Sequence, residues 1–117
     1  MNRAISEAVN TIVNEISCMD LEGKVETLNE VRACLGDVSP FKSEPCDCIL
    51  WIKQDKVQAN EYNPNHVAAP EMKLLYESIK SDGYTMPIVT YDLGNGKREI
   101  VDGFHRNRVG REHSDIK

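Results

Sequence analysis

Two short β-branched runs joined by Gly94-Asn95-Gly96 constrain this chain most. Pro87-Ile88-Val89-Thr90-Tyr91 reads as a strand, with proline at its start, where a missing N–H does least harm. Gly-Asn-Gly supplies a hairpin turn, so a second strand follows over Lys97–Val101. Asp102-Gly103 then turns the backbone into a helix over Phe104–Glu112. A hairpin alone is marginal in water and needs helices on a face. The segment before it provides one: Pro70 fits a first helical turn, Met72, Leu74, Leu75 and Ile79 form an apolar face, and Asp82-Gly83 ends it. The expected fold class is α+β (α/β), a small mixed sheet with helices.

The first 36 residues read differently, as a helical hairpin. Ile5, Val9, Ile12, Val13 and Ile16 recur at helical spacing. A second helix starts at Asp20 as N-cap, carries Val25, Leu28, Val31 and Leu35, and closes on Gly36 as its C′ residue. Such stripes must be covered by each other, by the following domain, or by a second subunit. Residues 1–36 are therefore either a helical cap or a homodimer or partner interface. Ser39-Pro40 and Glu44-Pro45 mark a linker over residues 37–47. The remaining domain, 48–117, begins with Cys48-Ile49-Leu50-Trp51-Ile52, a run of strand length that places Trp51 in the core. Gln54–Gln58 reads as a helical turn, and Asn60–Asn65 as a loop.

The 117 residues carry a formal charge of -5, with 40% hydrophobic and 28% charged residues. This is the composition of an ordinary globular protein, with no apolar run long enough to cross a bilayer and no signal-peptide pattern at the start. A cytoplasmic location with no membrane partner is expected. An acidic balance argues against a broad nucleic-acid-binding face, although Lys97, Arg98, Arg106, Arg108 and Arg111 make one basic corner. Cys18, Cys34, Cys46 and Cys48 lack the paired C-x-x-C spacing of common zinc sites, so no metal centre is assigned. They read as buried free thiols in a reducing compartment, with a Cys46/Cys48 redox or metal pair as the alternative.

Chemistry concentrates in Ile100-Val101-Asp102-Gly103-Phe104-His105-Arg106-Asn107-Arg108. A strand, a turn and a helix N-terminus together expose backbone N–H groups that favour an anion, and glycine admits a close ligand. Arg106 and Arg108 add fork-shaped donors suited to phosphate oxygens. His105 is either a phosphate donor and proton carrier or a surface imidazole. Asp102 initiates the turn, orients Arg106, or binds Mg²⁺. Glu61, in the preceding loop, is a candidate base or Mg²⁺ ligand, and Asn63 a ribose or phosphate ligand. An Arg-rich helix after a plain β-turn is the simpler alternative.

Four landmarks resemble the ParB N-terminal-domain and sulfiredoxin superfamily over about half the chain, Trp51–Arg111. They are the Asn-Pro loop at Asn63-Pro64, the helix end Ser78-Ile79-x-x-x-Gly83, the strand Met86-Pro87-Ile88-Val89, and the turn Val101-Asp102-Gly103-x-x-Arg106. The N-terminal helices followed by Ser39-Pro40-Phe41 and Glu44-Pro45 resemble the IbrB-like (immunoglobulin-binding-regulator) branch, found in phage and mobile elements. ParB proteins read Gly-Glu-Arg-Arg-x-Arg at this turn, and Gly103, Arg106 and Arg108 match while Phe104 and His105 depart. Sulfiredoxins read Gly-Cys-His-Arg; Gly103, His105 and Arg106 match, but Phe104 replaces the nucleophile, which excludes that chemistry. Free-serine kinases of the fold read Asp-Gly-His-Thr-Arg, matched by Asp102, Gly103 and Arg106, with Glu61 nearest to their catalytic carboxylate. What the resemblance implies in common is a bound nucleotide (ATP, ADP or CTP), with or without Mg²⁺, held by Asp102, Gly103, Phe104, His105, Arg106, Arg108 and Asn63. His105 and Glu61 would carry any catalysis. It also implies a regulatory or DNA-transaction role, DNA contacts through regions outside this chain, and a partner resembling phosphoadenosine-phosphosulfate reductases. A nucleotide-dependent kinase, DNA-directed ATPase or nuclease, and a transcription-control module with a vestigial pocket, remain the alternatives.

Overall fold

The computed structural model describes residues 1–58 and 69–116. The chain divides into two compact units, Met1–Trp51 and Ile52–Lys117. The fold class is α+β: the described residues form four α-helices and a three-stranded mixed sheet. Among the described residues no helix is long and apolar enough to cross a membrane.

The first unit is the helical hairpin. Helix α1 spans Arg3–Ser17, and its N-cap Asn2 accepts a hydrogen bond from the Ile5 amide. Helix α2 spans Leu21–Asp37, with the Asp20 carboxylate accepting from the Gly23 amide. Each cap satisfies an otherwise unpaired first-turn N–H. Gly36 departs from its expected role: the helix runs through it to Asp37, and Val38 caps the end in right-handed geometry. Neither backbone sign nor space requires glycine here, since a Cβ would meet Cys48 Cβ at 3.7 Å, an ordinary contact distance.

Cys48–Ile52 forms no strand, contrary to its apolar pattern. The Asn29 amide takes up the backbone groups that a strand neighbour would have bonded. Its Nδ2 donates to the Trp51 carbonyl at 2.6 Å, and its Oδ1 accepts from the Trp51 N–H at 3.0 Å. Trp51 is accordingly 52% exposed rather than core. The thiols also depart from expectation, with Cys18, Cys34 and Cys46 exposed and Cys48 half-buried, all free.

In the second unit a 3₁₀ turn at Gln54–Lys56 leads into β1, Val57–Gln58. Helix α3 spans Ala69–Asp82, with Glu71 in its first turn and Lys80 in its last, each matching the helix dipole. Gly83 ends it at φ 77°, its N–H bonded to the Ile79 carbonyl. Strands β2 (Val89–Asp92) and β3 (Arg98–Asp102) pair antiparallel, while β1 lies parallel on the other side of β3. The turn between β2 and β3 uses Gly94 and Gly96 at φ 81° and 79°. Helix α4 covers Phe104–Glu112, the span read from the sequence. The core is small: Ile79, Val109 and Ile116 are buried, with Met72, Leu75, Tyr76 and Tyr84 packed against them. It clasps α3 to α4 and leaves the turn before α4 at the sheet's end.

Candidate functional site

The site begins with a register shift. Val89 pairs with Asp102 but Thr90 with Ile100, so Val101 is an extra residue on β3. A bulge here bends the strand just before the turn. Gly103 follows at φ 93°, ψ 24°, left-handed and buried. A side chain there would meet Arg106 Nη2 at 2.9 Å and the Ile88 Cα at 3.2 Å, besides the strain of its φ. Glycine is required twice over.

Asp102 closes the turn by accepting the Gly103 N–H at 2.9 Å, the turn role foreseen for it. Its other oxygen lies 3.8 Å from Arg106 Nη2, a loose ion pair on a carboxylate 70% exposed. Arg106 folds back over the turn and donates from Nη2 to the Pro87 carbonyl at 3.1 Å. That contact joins the start of α4 to the approach of β2. Its Nε is shielded and has no partner. Neither ring nitrogen of His105 has one either, and the Phe104 ring meets the imidazole edge-to-face at 5.3 Å.

Arg108 is committed elsewhere. Its Nε donates to Glu112 at 2.8 Å, one helical turn further on. That hydrogen bond is the main reason the Glu112 carboxyl sits below the usual carboxylate range. Asn107, not singled out by sequence, is 5% exposed with its Oδ1 unsatisfied. Its N–H bonds the Gly103 carbonyl at 3.0 Å, as four-residue spacing from the turn requires. That spacing from Gly103 was the signal available to find it. Glu61 and Asn63 lie outside the described residues. Among the described residues no group of three or more His, Cys, Asp or Glu is placed to hold a metal ion.

The first turn of α4 has no side-chain cap and no acidic residue. Four of the five shielded, unpartnered side-chain polar atoms among the described residues belong to His105, Arg106 and Asn107. Buried polar atoms are ordinarily satisfied, and each orphan costs about 1–3 kcal/mol. The turn therefore gathers unsatisfied polar atoms beside a helix N-terminus: Arg106 Nε and one imidazole N–H are donors suited to an oxyanion, while Asn107 Oδ1 is an acceptor.

No family model matches this sequence, and no solved structure matches it significantly. Two curated proteins do. The uncharacterized protein YbdM of Escherichia coli K12 is 47% identical over 96 residues, covering 82% of this chain and 46% of YbdM. A cysteine–tRNA ligase of Azorhizobium caulinodans is 27% identical over 86 residues, 74% of this chain but 18% of the ligase. The chain thus spans less than half the length of the curated relatives it matches.

Proposed function

We propose that the second unit is a ParB-like nucleotide-binding domain of a regulatory or DNA-transaction protein, holding nucleotide phosphates at the Asp102–Arg106 turn. The observation that carries the reading is the cluster of unsatisfied polar atoms on His105, Arg106 and Asn107 beside the uncapped helix start. An oxyanion there would accept the free first-turn amides together with Arg106 Nε and an imidazole N–H. The exposed Asp102 carboxylate would repel phosphate on its own, and this favours a Mg²⁺-bound nucleotide, whose cation Asp102 would help hold and which would screen that repulsion. Arg108 reaches the phosphates only by leaving Glu112, an exposed pair worth little in water.

The motif order supports the same reading. Gly103, Arg106 and Arg108 match the ParB turn, and Phe104 stands where sulfiredoxins need a thiol. In this reading the protein acts in the cytoplasm. Nucleotide binding biases the association of residues 1–36, DNA is contacted by regions outside this chain, and a phosphoadenosine-phosphosulfate-reductase-like protein is its partner. Calorimetric titration of ATP, ADP and CTP with Mg²⁺ into the chain and its Arg106→Ala variant tests the site. Loss of one charged phosphate contact costs about 1.5–3 kcal/mol, roughly ten- to hundred-fold in affinity. Equal affinity in the two proteins removes Arg106 from the site; absence of binding in the folded chain removes the nucleotide.

A further inference from the structure

The last turns of α2 form one wall of a concavity of about 440 Å³, and residues 46–49 form the other. That volume falls within the range of small-molecule sites, about 300–1,000 Å³. Arg32, Leu35 and Gly36 share a helix face by their three- and four-residue spacing. Asn29 lies on the same face, and its two bonds to the Trp51 backbone hold the returning chain against the helix. Nearer the helix end, the Ser39 N–H bonds the Gly36 carbonyl, and the Ser39 hydroxyl accepts the Phe41 N–H at 3.1 Å. Cys48 packs on Gly36, where a Cβ would lie 3.9 Å from its Sγ. Hydrogen bonds within the first unit thus hold both walls in place.

The lining is chemically mixed. Arg32 is half-buried, its Nη1 is shielded, and no hydrogen bond or ion pair engages it among the described residues. A guanidinium spreads its charge over the whole plane, so an anion in the concavity compensates the nitrogen that burial strands. Asp47 lines the same space with the opposite sign. Cys46 and Cys48 bring two free thiols, the first exposed and the second half-buried. One cation, one anion and an accessible thiol around a single space match a small zwitterion that carries sulfur.

We propose that this concavity captures a cysteine-like aminothiol carboxylate from its disulfide, as a mixed disulfide on Cys46, with Arg32 holding the carboxylate and Asp47 the ammonium. The Cys46 thiol gives its proton to solvent and the thiolate attacks one sulfur of the small disulfide. The new S–S bond forms as the old one breaks, and the other half leaves as a thiolate that takes up a proton. Cys46 is oxidised, the departing half is reduced, and no other oxidant is required. Exposure alone does not single out Cys46, because Cys18 and Cys34 are exposed too. Those two thiols do not line the concavity and serve as internal references.

Time-resolved mass spectrometry with peptide mapping tests this on the reduced full chain. With cystine, Cys46 should gain one half-cystine about tenfold faster than Cys18 or Cys34, the worth of one charged contact. Cystamine lacks the carboxylates and dithiodipropionate lacks the ammonium groups; with each, the preference for Cys46 should shrink. Ratios taken within one chain cancel the intrinsic differences among the three disulfides. Arg32→Gln keeps a polar side chain but removes the charge. It should bring the cystine ratio down to the cystamine ratio while leaving Cys18 and Cys34 unchanged. Modification of Cys46 no faster than of Cys18 and Cys34 overturns the proposal. So does equal preference for all three disulfides, or full preference kept by an Arg32→Gln chain whose helical content is intact by circular dichroism. Loss of two hydrogens across Cys46 and Cys48 with no adduct also overturns it, since the pair is then a dithiol couple.

Discussion

Gly103 shows how one residue sets both the backbone and the chemistry of the turn. Its left-handed φ and the close approach of Ile88 and Arg106 leave no room for a side chain. Gly103→Ala should lower unfolding stability by about 1–3 kcal/mol, measured by urea denaturation, and displace Arg106 from the Pro87 carbonyl. A second residue-level prediction concerns Asp115. The Tyr76 hydroxyl, and then the Lys80 ammonium, bond its charged form and hold its carboxyl below the ordinary aspartate range. Lys80 is raised for the reciprocal reason, with Asp115 first among the causes. A depressed acid stabilises the fold above its unfolded value of 3.8 and loses that contribution as pH falls through its folded value. A raised base stabilises below its unfolded value of 10.5 and loses its contribution as pH rises further. The Ile116 amide, in the segment this clasp holds, should therefore exchange with opening free energies that are flat between those limits and fall outside them. A flat profile down to pH 2 contradicts the assignment.

At the scale of elements, α4 is packed more tightly than its composition suggests. A Cβ at Gly110 would lie 2.5 Å from the Tyr84 hydroxyl and 3.0 Å from the Gln54 side chain, which donates to the Gly110 carbonyl at 2.7 Å. Gly110→Ala gains about 1 kcal/mol of helix propensity. Overpacking costs about 1–3 kcal/mol and the lost hydrogen bond about 1 kcal/mol more. Net destabilisation, seen as a lower thermal midpoint, is expected; a rise would show that Tyr84 yields freely. Elements governed by local signals were legible in the sequence. Asp20, Pro70, Gly83 and Gly94-Asn95-Gly96 act within a few residues of themselves, and α2, α3 and the hairpin follow. Elements decided by distant partners were not. The strand expected at Cys48–Ile52 gives way to one Asn29 amide twenty-two residues away. The two-residue β1 exists only by pairing with β3. At the turn, Asp102, Gly103 and Arg106 were legible as a motif. The commitment of Arg108 to Glu112 and the burial of Asn107 depend on packing that no motif reports.

For the whole molecule, the two units carry different unmet demands. The first has apolar stripes without cover, and the second has polar atoms without partners, gathered at one turn. Because the chain matches under half of its curated relatives, the site is best tested by where a ligand lands. The most direct measurement is a map of backbone amide chemical shifts during titration with Mg²⁺ and the nucleotide. The account predicts the largest changes at the amides of Gly103, Phe104, His105 and Arg106, with smaller ones at Ile88 and Asn107. Shifts concentrated elsewhere, or none at millimolar nucleotide, would contradict it.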